Sequence, residues 1–100
     1  MGASFESHRF SAKTEAEAIK HAKTYQQQRQ HEDGHGPYTG HLGTAGVGVQ
    51  RRNGSQPYLF ATVEEAEDWV LEHHNKWDLP YLVKIGKDGD QWMLAGLCSR

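Results

Sequence analysis

Alternating apolar and polar residues predict strands at both ends of the chain. Residues 4–10 predict a first strand, with Phe5 and Phe10 on opposite faces. Residues 81–85 and 91–98 flank an Asp-Gly turn and predict a closing hairpin. Because both of its strands have apolar residues on both faces, we expect the hairpin to lie in the centre of a sheet.

Two helices are predicted by capping boxes that precede helical periodicity. Thr14 opens the sequence T-E-A-E and Thr62 opens T-V-E-E, so each hydroxyl can accept a hydrogen bond from the backbone three residues ahead. The first helix is expected to run to about Gln30, with a thin apolar stripe and an exposed polar end, Q-Q-Q-R-Q. The second helix has the stronger stripe, formed by Val63, Ala66, Trp69, Val70, His73 and Trp77.

The segment between the helices predicts further strands. Tyr38 to Val49 has strand character with bulges, or forms a loop that leads into a strand. Residues 57–61 predict a short strand that begins at Pro57. The resulting order is β-α-β-β-α-β-β. It predicts a single α+β domain over residues 1–100, with an antiparallel or mixed sheet and both helices on one face.

Composition limits the function classes without identifying one. The chain has 11 Lys and Arg against 13 Asp and Glu, so it lacks the basic footprint of a nucleic-acid-binding protein. No apolar run reaches the roughly 18 residues of a membrane span, and the first residues lack a secretory pattern. Cys98 is the only cysteine, which excludes an internal disulfide and suggests an inert thiol. We expect a small cytoplasmic protein, bacterial or from an infected cell, that self-associates.

The segment richest in side chains that could bind a ligand or a metal is residues 31–48, H-E-D-G-H-G-P-Y-T-G-H-L-G-T-A-G-V-G. Glycines let backbone N–H groups approach an anion, threonines donate hydroxyls, a tyrosine can stack on a base, and a histidine can be charged beside a phosphate. We predict a site for a small anionic or nucleotide-like ligand in loop 34–48, formed by His35, Tyr38, Thr39, His41 and Thr44. The structural alternative is a glycine-bulged strand packed beneath a helix.

The same segment contains H-E-x-x-H, a string typical of zinc proteases. In those enzymes the two histidines lie one turn apart on a continuous helix. Asp33 and Gly34 are poor helix formers and Gly36-Pro37 follows at once, so we do not expect that geometry. A looser metal site is an alternative to solvated loop histidines; its ligands would be His31, His35 and His41. No cofactor is predicted.

The pattern G-H-x-x-Y-x-G, which begins at Gly34, resembles a segment of small uncharacterised prokaryotic and phage proteins. The resemblance continues through W-x-x-P at Trp77 and a hairpin with a tryptophan in its last strand, and it covers residues 25–98. It implies a fold family and a phage or accessory-gene setting. It implies no activity.

Together these patterns favour a non-enzymatic binding protein, because no coherent catalytic constellation is present. We predict a small anionic ligand or a protein partner, no nucleic acid or membrane partner, and a homo-oligomer. Two alternatives stay open. One is a protein-interaction module that inhibits a host or bacterial enzyme. The other is a metal-dependent hydrolase that uses His31, Glu32 and His35.

Overall fold

The computed structural model of the chain describes residues 3–33, 42, 46–51, 57–75 and 78–99. The strands are β1 (Ala3–Ser11), β2 (Tyr58–Phe60), β3 (Tyr81–Ile85) and β4 (Gln91–Ser99), and the helices are α1 (Glu15–Asp33) and α2 (Val63–His73). This order confirms the α+β class. The described residues of the further strand expected over Tyr38 to Val49 do not form a strand. The next residue, Gln50, makes an isolated parallel bridge with Tyr81.

The four strands form one mixed sheet in the order β1-β4-β3-β2. β4 pairs antiparallel with both β1 and β3, and β2 pairs parallel with β3. The hairpin of β3 and β4 therefore occupies the centre, as its two apolar faces predict.

The two helices cover opposite faces of this sheet, and the prediction that they share one face is wrong. Leu94 packs with Ala18 and Ala22 of α1, whereas the preceding residue, Met93, packs with Ala66 of α2. Successive residues of a strand point to opposite sides, so these contacts define an α1 face and an α2 face. Because the central strands are apolar on both sides, a single helix layer would leave one side in water.

The helix starts form where the capping boxes predict them. Thr14 Oγ1 accepts a hydrogen bond from the Glu17 N–H at 3.2 Å, and Glu17 Oε2 accepts from the Lys13 N–H at 3.1 Å. Thr62 Oγ1 accepts from the Glu65 N–H at 3.2 Å. In each case a side chain satisfies a backbone donor that the first turn leaves without an intrahelical partner.

The helix ends differ from the predicted ones. α1 continues past Gln30 to Asp33, while α2 ends at His73, before the Trp77 position expected to continue its stripe. His74 has extended backbone angles (φ −85°, ψ 138°), and its N–H still bonds to the Val70 carbonyl. Such a residue closes the last turn and cannot continue the helix. In the described part of the chain, neither helix is long and apolar enough to cross a bilayer.

Candidate functional site

The predicted ligand segment is described only at its two ends. In the segment 31–48, the first three residues form the end of α1, which stops at Asp33. Its far part is described at Leu42 and at residues 46–48. The five predicted ligand residues lie outside the described residues: His35, Tyr38, Thr39, His41 and Thr44. The site that they form stays a prediction. The far end of the segment, Leu42 and residues 46–48, makes specific contacts with α1.

Gln26 of α1 ties that far end to the helix. Its side chain is fully buried, and its Nε2 donates to the carbonyls of Leu42 at 3.0 Å and Gly48 at 2.8 Å. Its Oε1 accepts from the Gly48 N–H at 2.8 Å. The amide thus uses both donors and an acceptor on one loop. The expectation that the polar end of α1 is exposed is wrong at Gln26, because three backbone groups replace water.

Glycine is required on the loop side of this contact. Gly46 and Gly48 have φ values of +119° and +152°, a region that other residues enter only with strain. A β-carbon on Gly48 would also lie 3.1 Å from Leu79 Cδ1. Gly48 therefore allows close backbone approach, and both glycines supply a backbone conformation that other residues adopt only with strain.

The H-E-x-x-H string begins in the last turn of α1. His31 and Glu32 are both helical and exposed, so the helix reaches further into the string than expected. Its second histidine, His35, lies outside the described residues. Among the residues that the structure does describe, no group of three or more His, Cys, Asp or Glu side chains could hold a metal ion.

A second group of titratable side chains lies where α1 crosses β1, and sequence analysis missed it. The Tyr25 ring stacks on His8 with centroids 3.9 Å apart, and the Phe10 ring stacks on His21 at 4.3 Å. The sequence signal for this cluster is that His8 and Phe10 lie two positions apart on β1, so they share a face of the strand. His21 and Tyr25 lie four positions apart on α1, so they share a face of the helix. This signal becomes meaningful only once α1 is known to cover β1.

The imidazoles of His8 and His21 meet head-on. Their Nε2 atoms are 3.2 Å apart, the ring planes differ by 7°, and the centroids are 5.4 Å apart. The difference of 2.2 Å is about twice the distance from an imidazole centre to a ring atom, so both nitrogens lie near the line between the centres. This geometry fits one N–H···N hydrogen bond, in which one ring donates and the other accepts. It does not fit two lone pairs converging on a metal ion.

Glu6 and Arg29 complete this cluster. Tyr25 Oη donates to Glu6 Oε1 at 3.0 Å, and Arg29 Nη2 lies 3.6 Å from Glu6 Oε2. Burial, aided by the charge of His21, lowers the pKa of His8, and Glu6 acts in the opposite direction. Burial and then Glu6 raise the pKa of Tyr25 to about 12, so the phenol stays protonated and donates. Perturbed groups of this kind mark candidate functional sites and also structural networks.

Two other side chains that could take part in chemistry, the Cys98 thiol and the His74 imidazole, have structural roles. Burial raises the pKa of the Cys98 thiol to about 12, which agrees with an inert thiol. His74 is only 7 % exposed; its Nδ1 accepts from the Leu97 N–H at 2.9 Å, and its Nε2 donates to the Leu79 carbonyl at 3.0 Å. The His74 ring therefore links Leu97 of β4 to Leu79, which lies just before the first residue of β3.

Comparison with known proteins adds no assignment. Neither a protein-family model, a curated protein nor a solved structure matches the chain. The resemblance to small prokaryotic and phage proteins stays a prediction, and function has to be argued from the chain's own geometry.

Proposed function

We propose that this protein is a small non-enzymatic binding protein that holds a small anionic or nucleotide-like ligand in loop 34–48. The observation that carries the proposal is the buried Gln26 amide, which holds the backbone at Leu42 and Gly48. A buried amide is costly unless its groups are bonded, and here all three bonds go to one glycine-rich loop. Loops held on a rigid scaffold commonly carry binding residues.

The side chains of loop 34–48 supply the donors that an anion needs. Glycine N–H groups, threonine hydroxyls and the His35 and His41 imidazoles can all donate, and the Tyr38 ring offers a face for a base. The carbonyl end of α1 and the Glu32 carboxylate disfavour an anion directly at the helix end. We therefore place the charged group of the ligand toward residues 38–44.

Thermal-shift and calorimetric titrations with nucleoside mono-, di- and triphosphates and with cyclic dinucleotides test this proposal. At a ligand concentration of 100 times Kd, binding stabilises a protein by about 2.7 kcal/mol. We expect the shift to disappear in His35→Ala and Tyr38→Ala. It should persist in His31→Ala and His73→Ala, which remove histidines outside the loop. No shift with any of these compounds, and unchanged behaviour of the two loop variants, would exclude this ligand class.

Exposed apolar surface beside an acidic helix favours a second function, a protein-interaction module that inhibits a basic partner. Leu71 on α2 is 46 % exposed, and α2 has no Lys or Arg. Its eleven residues include five acidic ones: Glu64, Glu65, Glu67, Asp68 and Glu72. Specific capture of a basic protein that is lost in Leu71→Asp, together with no small-molecule shift, would favour this function over ligand binding.

A further inference from the structure

β1 is an edge strand of nine residues, and none of the described residues pairs with its outer side. Its pairing with β4 keeps one register from the Ala3 and Ser99 pair to the Ser11 and Gln91 pair, without a bulge. β1 also has no proline. A long, regular edge without these protective features is a template for pairing with another strand.

The ladder shows which backbone groups point outward. The Ala12 N–H bonds to the Asp90 carbonyl at 2.9 Å, so every second residue before Ala12 exchanges hydrogen bonds with β4. Leu97, which lies opposite Phe5, instead donates its N–H away from β1, to His74. The outward-pointing residues of β1 are therefore Ala3, Phe5, Ser7, Arg9 and Ser11.

We propose that β1 pairs antiparallel with β1 of a second copy of the chain, with Ser7 on the twofold axis. This register joins outward-pointing residues to outward-pointing residues, as an antiparallel ladder requires. It sets Glu6 opposite His8 of the second copy on the α1 face. It sets Phe5 opposite Arg9 of the second copy on the α2 face. A carboxylate opposite an imidazole and an aromatic ring opposite a guanidinium are favourable cross-strand pairs.

The neighbouring registers lack this complementarity. An axis at Glu6 sets two identical carboxylates directly opposite each other, and like charges in that position are destabilising. An axis at His8 sets the two His8 imidazoles opposite each other and leaves Glu6 opposite Phe10. The cross-strand side-chain pairs of β1 thus favour the register centred on Ser7.

The pairing closes on itself with twofold symmetry. Two four-stranded sheets become one continuous sheet, with both α1 helices on one face and both α2 helices on the other. Each copy covers the open edge of the other, so no β1 edge is left to recruit a third chain.

Sedimentation equilibrium of the full chain over a range of concentrations tests the association. We expect a mass of twice 11.3 kDa that falls toward 11.3 kDa on dilution. Ser7→Pro removes the central outward N–H and should be monomeric throughout, whereas Ser7→Ala keeps that N–H and should still dimerise. Thermal melts by circular dichroism establish that Ser7→Pro is folded.

Crosslinking tests the register without relying on proline. In the proposed dimer the two Ser7 Cα atoms are about 5.5 Å apart, whereas the two Ser11 Cα atoms are about 27 Å apart along the strand. A short bis-maleimide should therefore link Ser7→Cys chains and leave Ser11→Cys chains single, with the buried Cys98 unreactive in both. A chain that is monomeric at every concentration, or equal crosslinking at both positions, would overturn the proposal.

Discussion

The two faces of the sheet are held by different kinds of contact. On the α2 face, Val70 packs with Val83 and Met93 in an apolar cluster. The Trp69 ring lies 4.7 Å from the Tyr58 ring and 4.9 Å from the Tyr81 ring. Burial of apolar and aromatic area therefore positions α2, as its strong helical stripe predicts.

On the α1 face the large buried side chains, such as Leu82 and Trp92, come from the sheet, whereas the fully buried side chains of α1 itself are small or polar. α1 contributes Ala18 and Ala22 to a cluster with Leu94, and the neighbouring positions along the helix include His21 and Gln26. These two polar side chains bond to β1 and to the glycine-rich segment. A helix with a thin apolar stripe is thus positioned both by packing of its small side chains on the sheet and by polar groups that each have a specific partner.

The two faces should therefore respond differently to substitution. The α2 face resembles an ordinary core, where many apolar substitutions of similar volume are tolerated. The α1 face joins a loop and a strand through a few directional bonds, and both proposals about binding and association concern residues on or beside it.

The largest loss is expected for Met93→Ala on the α2 face. Met93 is fully buried, and truncation of such a side chain costs about 2–5 kcal/mol because a cavity is left behind. Urea denaturation measures the free energy of unfolding. Leu71→Ala is the control, since Leu71 is half exposed and its loss should be small. A cost below about 1 kcal/mol for Met93→Ala would mean that apolar packing does not dominate this face.

Gln26→Leu tests the polar α1 face with a side chain of similar size. It leaves the carbonyls of Leu42 and Gly48 and the Gly48 N–H without their present partner, and we expect a loss of about 2–4 kcal/mol. Hydrogen exchange at the Gly48 amide should accelerate more than exchange on the α2 face. Gln27→Leu, at an exposed neighbour, is the control. Equal stability of the two variants would contradict the anchoring role of Gln26.

Gly96→Ala tests whether the buried polar side chain of His74 also restricts the packing against β4, outside the contacts that α1 makes. A β-carbon on Gly96 would lie 2.9 Å from both Cε1 and Nε2 of His74, so we expect a loss of about 1–3 kcal/mol from overpacking. Gly89→Ala, whose β-carbon would meet only the Gln91 nitrogen at 4.0 Å, is the control. In a double-mutant cycle with His74→Ala, the two changes should not be additive. Additivity would show that the two residues do not press on each other.

A smaller, pH-dependent loss is expected from the His8 and His21 pair. The pKa of His8 is lowered in the folded protein from its ordinary value of 6.5. As the pH falls below 6.5, the unfolded chain binds a proton that the folded chain resists, so stability decreases toward the lowered folded pKa. His8→Phe keeps a ring on Tyr25 and should flatten this decrease in denaturation curves between pH 7 and pH 5. The same slope in both proteins would contradict this assignment.

The smallest effects are expected at the caps, where the two helices should behave alike. Thr14→Ala and Thr62→Ala each remove one side-chain acceptor at 3.2 Å from a backbone N–H, which costs about 1 kcal/mol. Thermal denaturation compares the two. A clearly larger loss at Thr14 would show that α1 depends on its local start more than α2 does, which would sharpen the contrast between the faces.

Features that depend on neighbouring residues could be predicted from the sequence alone. Both capping boxes and the Asp-Gly turn between β3 and β4 are local, because their hydrogen bonds and turn geometry involve residues a few positions apart. The central position of the hairpin followed from its two apolar faces. The α+β class followed from the order of these elements.

The faces that the helices cover and the polar residues that become buried depend on contacts between distant segments of the chain. Gln26 meets Gly48 across 22 positions, and His8 meets His21 across 13. A polar side chain favours solvent unless a distant segment offers it partners, and periodicity along a helix does not show where that segment lies. The contacts that distinguish the α1 face are therefore products of chain topology, because α1 had to cover the apolar face of the sheet that α2 leaves open.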